Sequence, residues 1–151
     1  MHRPLTEGRA RARGRAVLSL AYVLAGVLHL VLPRPFVAIT PGWVPEKELV
    51  VALTGVAEIV GALALVQPWR PGLRRTGGIG LALYAVCVFP ANINHMLIDI
   101  GSPDPALGWA YHGPRMLLQP VLVWLALWTA GVVGEAGRSG KSGCGKNPLD
   151  Q

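Results

Sequence analysis

Leu49-Val-Val-Ala-Leu-Thr-Gly-Val-Ala-Glu58-Ile-Val-Gly-Ala-Leu-Ala-Leu-Val66 is an apolar run with one carboxylate near its middle. As a helix it rises about 1.5 Å per residue, roughly 27 Å in all, enough to cross a hydrocarbon core. A carboxylate at that depth costs about 2.5–3.5 kcal/mol on insertion scales. Glu58 must therefore turn inward and find a partner. What it meets decides what the chain does.

Three further apolar runs flank this one. The first covers residues 16–32 and is stopped by Pro33 and Pro35. The next covers residues 77–98, with a break expected at Pro90. The last covers residues 115–133, and Pro120 falls early in it, where a missing amide proton costs little. The segment Phe36-Val-Ala-Ile39 reads as a short helical turn lying on the bilayer. The expectation is an all-α membrane protein, a four-transmembrane-helix bundle in contact with the lipid bilayer. It would span residues 16–133, between a basic tail (1–15) and a flexible Gly- and Ser-rich tail (134–151).

Composition agrees. Apolar residues make up 52% of the 151-residue chain and charged residues 15%, against about 25% in soluble proteins. The net charge of +6 flanks the apolar runs rather than forming a patch, so lipid headgroups account for it better than nucleic acid. Arginines precede the first run as in a signal peptide, but no small-residue cleavage site follows, so it reads as a retained helix. Eleven Lys and Arg fall in the two tails and the 67–76 loop, and three (Arg34, Lys47, Arg115) on the other side. Both termini are therefore expected in the cytoplasm, with the protein multi-pass in a bacterial-type plasma membrane.

Small residues recur in each run: Ala21, Ala25 and Gly26; Gly55, Ala57, Gly61 and Ala62; Gly77, Gly78, Ala82 and Ala85. They let helix backbones approach where lipid supplies no hydrophobic drive. The polar residues are unevenly distributed. His29, Glu58, Asn92, Asn94, His95, Arg115 and Gln119 all belong to the outer half, while the inner half has only Ser19, Thr76 and Cys87. Arg115 and Gln119 are four apart and share a helix face. The asymmetry predicts a polar pocket roofed by the outer loops. The competing reading is that the cluster is only interhelical glue.

Other chemistry is poorly supported. His29, Glu58 and His95 have the composition of a two-histidine, one-carboxylate metal site, but no spacing requires it, and none is assigned. Cys87 and Cys144 are far apart in the topology and there is no Cys-x-x-Cys. The tail segment Gly140-Lys-Ser-Gly-Cys-Gly-Lys146-Asn147 imitates a phosphate-binding loop, but no strand precedes it and Asn147 replaces the Ser or Thr that holds magnesium. No self-sufficient catalytic motif is visible.

Four stretches carry a family resemblance. Ala25-Gly-Val-Leu-His29-Leu-Val-Leu-Pro33-Arg-Pro-Phe36 with Pro41-Gly-Trp-Val-Pro45, then Thr54-Gly-Val-Ala-Glu58-Ile-Val-Gly61-Ala, Val88-Phe-Pro90-Ala-Asn92-Ile, and Arg115-Met-Leu-Leu-Gln119-Pro-Val-Leu-Val-Trp124 together resemble DoxX-like membrane proteins. The match covers residues 16–128. It implies a four-helix membrane protein. The family takes its name from a subunit associated with a thiosulfate:quinone oxidoreductase, so the resemblance implies a redox partner protein and a quinone as ligand. A non-enzymatic membrane scaffold or small-molecule carrier is the alternative. Asn94 and His95 depart from the less polar residues usual there.

Overall fold

The computed structural model describes residues 8–134. The two ends of the chain, including the phosphate-loop look-alike, lie outside that range. Among the described residues the protein is all-helical, with α1 (Arg9–Val31), α2 (Pro33–Ile39), α3 (Lys47–Val66), α4 (Pro71–Ile100) and α5 (Gly108–Thr129). Three of them, α1, α3 and α4, are long and apolar enough to cross a membrane. α5 has 22 residues, but His112, Pro114, Arg115, Gln119 and Pro120 lower the apolarity of its first half. Large apolar side chains such as Leu20, Leu53, Val60, Leu83 and Leu117 point outward, where lipid suits them. Trp43, Trp69 and Trp109 are exposed near the helix ends, as at a bilayer interface.

Helix limits differ from the sequence expectation in five places, each for a local reason. α1 begins at Arg9, so residues 9–15 are helical rather than tail. Buried Arg15 reaches the Thr129 carbonyl at 3.5 Å, where a cation suits a helix C-terminus. Pro33 ends α1 and opens α2, since proline at the first helical position gives up only an amide that would be unpaired anyway. Pro71 opens α4 in the same way. α4 then runs unbroken through Pro90, which is exposed, so the expected break is absent. α5 begins at Gly108, seven residues before Arg115, because Asp99 caps it. The Asp99 carboxylate accepts the amides of Ala106 (3.1 Å), Leu107 (3.3 Å) and Gly108 (2.8 Å).

The long helices pack antiparallel in the order α1–α3–α4–α5, with α1 and α5 touching least. Glycines set the seams. A Cβ on Gly26 would stand 2.6 Å from the Gly55 carbonyl oxygen, and one on Gly77 would stand 2.8 Å from Ala64. One on Gly78 would overlap Ala130. Ala21 and Ala57, by contrast, are exposed. Leu18, Tyr22, Ala62, Leu65, Leu81, Ala82, Ala126 and Ala130 form the core. That core lies toward the end where α1 begins and α5 finishes, here called the tail end. The polar residues gather toward the other, the loop end.

Candidate functional site

The Gly26–Gly55 contact brings α1 close enough to α3 for His29 to meet Glu58. His29 Nδ1 lies 3.0 Å from Glu58 Oε2 and 2.8 Å from the Ala25 carbonyl. A carbonyl only accepts, so Nδ1 carries a proton aimed at Ala25. Glu58 Oε2 therefore gains proximity without an aligned hydrogen bond, and it is buried without a hydrogen-bond partner. The Tyr22 hydroxyl is in the same condition. Tyr22 packs edge-on against Tyr84 at 6.2 Å, and the Tyr84 hydroxyl interacts with Glu58 and Thr54. This side of the site thus holds a carboxylate and an imidazole from α1 and α3 with the Tyr22 phenol, and the Tyr84 phenol reaches them from α4.

The α4–α5 side is bonded within itself. Arg115 Nη2 donates to Asn92 Oδ1 at 2.6 Å, and Nη1 donates to His95 Nδ1 at 2.6 Å and to the Tyr111 hydroxyl at 3.3 Å. Arginine cannot accept, so the His95 proton belongs on Nε2. Gln119 Nε2 donates to the Ala85 carbonyl at 2.8 Å and ties α5 to α4. Asn92, two residues past Pro90, is occupied by Arg115 rather than by the helix backbone. Beyond them, Asp99 Oδ2 and His112 Nε2 stand 3.3 Å apart, with His112 fully buried.

Between the two sides lies a cavity of about 540 Å³. His29, Glu58, Asn92, Arg115 and Gln119 line it, together with Tyr22, Thr54 and Tyr84. The remaining wall is mostly aliphatic. α2 and the segment after it form the loop-end side, through Phe36, Ile39, Thr40 and Trp43. Phe36 stacks on His29 with ring centres 3.8 Å apart.

Two expected members do not line the cavity. Asn94 donates to the Ile39 carbonyl at 2.9 Å and ties α4 to α2. His95 faces Arg115, Tyr111 and His112. The cause is the unbroken helix. At roughly 100° per residue, Asn94 points well away from Asn92, and His95 falls beside it on the α5 flank. His95 therefore does not join His29 and Glu58. No three His, Cys, Asp or Glu residues come together as a metal site among the described residues. Tyr84 was not legible as a member; a lone phenol in an apolar helix two turns before Asn92 was the available signal.

Chemically, the cavity suits a small polar head on an apolar body. Glu58 and the phenols can exchange hydrogen bonds with a carbonyl or hydroxyl, and His29 beside Glu58 can pass a proton. Arg115, which has neutral partners only, favours negative charge at the other side.

A profile described as "Domain of unknown function (DUF8561)" matches residues 18–130, which takes in every residue of the cavity wall. No curated protein and no solved structure matches the chain.

Proposed function

The chain belongs to the DUF8561 family, and from its cavity we propose a four-helix membrane protein that binds a quinone or a similar small amphipathic ligand, as a redox-associated subunit. α5 is the fourth span in this reading. It packs along α4 over its length and buries Ala126 and Gln119 against its neighbours. The carrying observation is that Glu58 Oε2 and the Tyr22 hydroxyl are buried without a hydrogen bond in the wall of a mostly apolar cavity. Buried polar groups are nearly always hydrogen-bonded, so two orphans beside one cavity mark a place where a ligand bonds. Glu58 and His29 receive the ligand's carbonyl or hydroxyl and exchange a proton with it. Asn92 and Gln119 orient it. Arg115 stabilises its reduced, anionic form. The resemblance to DoxX-like proteins supports the redox association, and the charge asymmetry supports cytoplasmic termini in a plasma membrane.

One observation favours the alternative, a scaffold or carrier with polar residues that only join helices. Arg115, Asn92 and Gln119 already spend hydrogen bonds on the bundle itself. The test is extraction of the purified protein with organic solvent, followed by mass spectrometry, beside native mass spectrometry of the intact protein. Stoichiometric quinone or a related prenylated ring is the expected result. Protein that carries nothing, and that binds no added decyl-benzoquinone, favours the scaffold.

A further inference from the structure

The route into the cavity follows from how α1 and α5 meet. Their contacts concentrate at the tail end: a Cβ on Gly14 would stand 3.2 Å from Trp128, Arg15 reaches the Thr129 carbonyl, and Arg11 lies over the Trp128 ring. Further along, Ala21, Ala25 and His29 of α1 and Arg115, Leu118 and Leu122 of α5 are separate walls of the cavity. The two helices are thus clasped at one end and diverge toward the other. Ala21 and Leu118, at the lips of this cleft, are exposed.

The loop end is tied across. Thr40 and Pro41 are buried over the cavity, Asn94 holds the Ile39 carbonyl, and Lys47 Nζ holds the Thr40 carbonyl at 3.1 Å. A molecule coming from water meets this roof. A molecule dissolved in the bilayer meets the apolar lips Ala21 and Leu118.

We infer that the ligand enters sideways from the bilayer between α1 and α5, and that it is a lipid-dissolved amphipath whose apolar chain lies in that cleft while its polar head reaches Glu58. This rests on the ligand-binding reading above and adds the route and the chain. Arg115 and His29 at the deeper cleft wall meet the head, and no charged side chain obstructs the chain at the lips.

The test uses full-length protein in lipid nanodiscs and two probes, a dimethoxy-methyl-benzoquinone bearing a decyl chain and the same ring without one. The double variant Ala21→Phe/Leu118→Phe narrows the lips, Leu118→Ala widens them, and Val60→Phe on the exposed face of α3 is the control. The double variant should slow association of the chain-bearing probe by roughly tenfold, within the range over which on-rates vary at one site. Leu118→Ala should speed it, Val60→Phe should change nothing, and the double variant should slow the chainless ring less than it slows the chain-bearing probe. If neither lip variant changes the rate for the chain-bearing probe, the lateral route is wrong, though the pocket reading stands as long as wild type binds the ring. If wild type binds neither probe, both fall.

Discussion

His29 and Glu58 meet at 3.0 Å on the line where Gly26 packs against Gly55, so a close helix seam is also the one that assembles the polar site. A Cβ on Gly55 would stand 2.8 Å from the His29 Cβ. The seam and the site therefore cannot change independently.

Gly26→Val should disturb both. Its Cβ would collide with the Gly55 carbonyl and Ile59. Overpacking a fitted contact costs typically 1–3 kcal/mol, and the separation of α1 from α3 should remove His29 from Glu58. Thermal unfolding in detergent should show the loss. Gly80→Val, where a Cβ would meet nothing within 4 Å, is the control and should melt like wild type.

Tyr22→Phe separates stability from binding. The Tyr22 hydroxyl is buried without a partner. Removing it relieves a desolvated group, so the ligand-free protein should gain stability, by on the order of 1 kcal/mol. Affinity for decyl-benzoquinone should fall by about fivefold, the same order of energy. Melting curves and titration of the two proteins check both directions. A variant that is destabilised and binds normally would mean that the hydroxyl serves the fold.

Asp99 should matter to the fold rather than to the ligand. Its carboxylate caps α5 and contacts His112 without lining the cavity. Asp99→Ala should lower the melting temperature, as loss of a helix-capping carboxylate does, and Asp99→Asn should lower it less because an amide oxygen still accepts. Unfolding of the two variants should rank them in that order.

The orientation follows from the charges. Reporter domains placed before Gly8 and after Gly134 should both report the cytoplasm, as the eleven-to-three distribution of Lys and Arg requires. A periplasmic signal from either would put the cavity toward the other face of the membrane.

Much of this was legible in the sequence, in the places where physics leaves little choice. The apolar run around Glu58 reads as a helix long and apolar enough to cross a membrane, and α3 covers it with two residues to spare at its start. His29, Glu58, Asn92, Arg115 and Gln119 surround one cavity because each is a polar residue that an apolar surrounding forces inward. Asn94 and His95 stand outside the cavity wall, and their direction depends on whether Pro90 breaks α4, which local sequence does not decide. Proline costs one hydrogen bond in a helix, and packing of α4 between α3 and α5 outweighs it. The reach of α5 back to Gly108 was hidden for a similar reason. Its cap, Asp99, comes from the preceding helix and spans a loop, so no neighbouring residue announces it.

Glu58 carries the central claim, and the pair Glu58→Gln and Glu58→Leu tests it most directly. Both proteins, in nanodiscs beside wild type, are melted and titrated with decyl-benzoquinone. Glu58→Gln preserves shape and hydrogen bonding but cannot give or take a proton as the carboxyl does; Glu58→Leu removes the polar group and should cost the bundle on the order of 1 kcal/mol. The prediction is that Glu58→Gln folds and melts like wild type and yet loses the probe. A Glu58→Gln protein that melts like wild type and binds the probe equally well would contradict the account, and would leave Glu58 as a bond between helices.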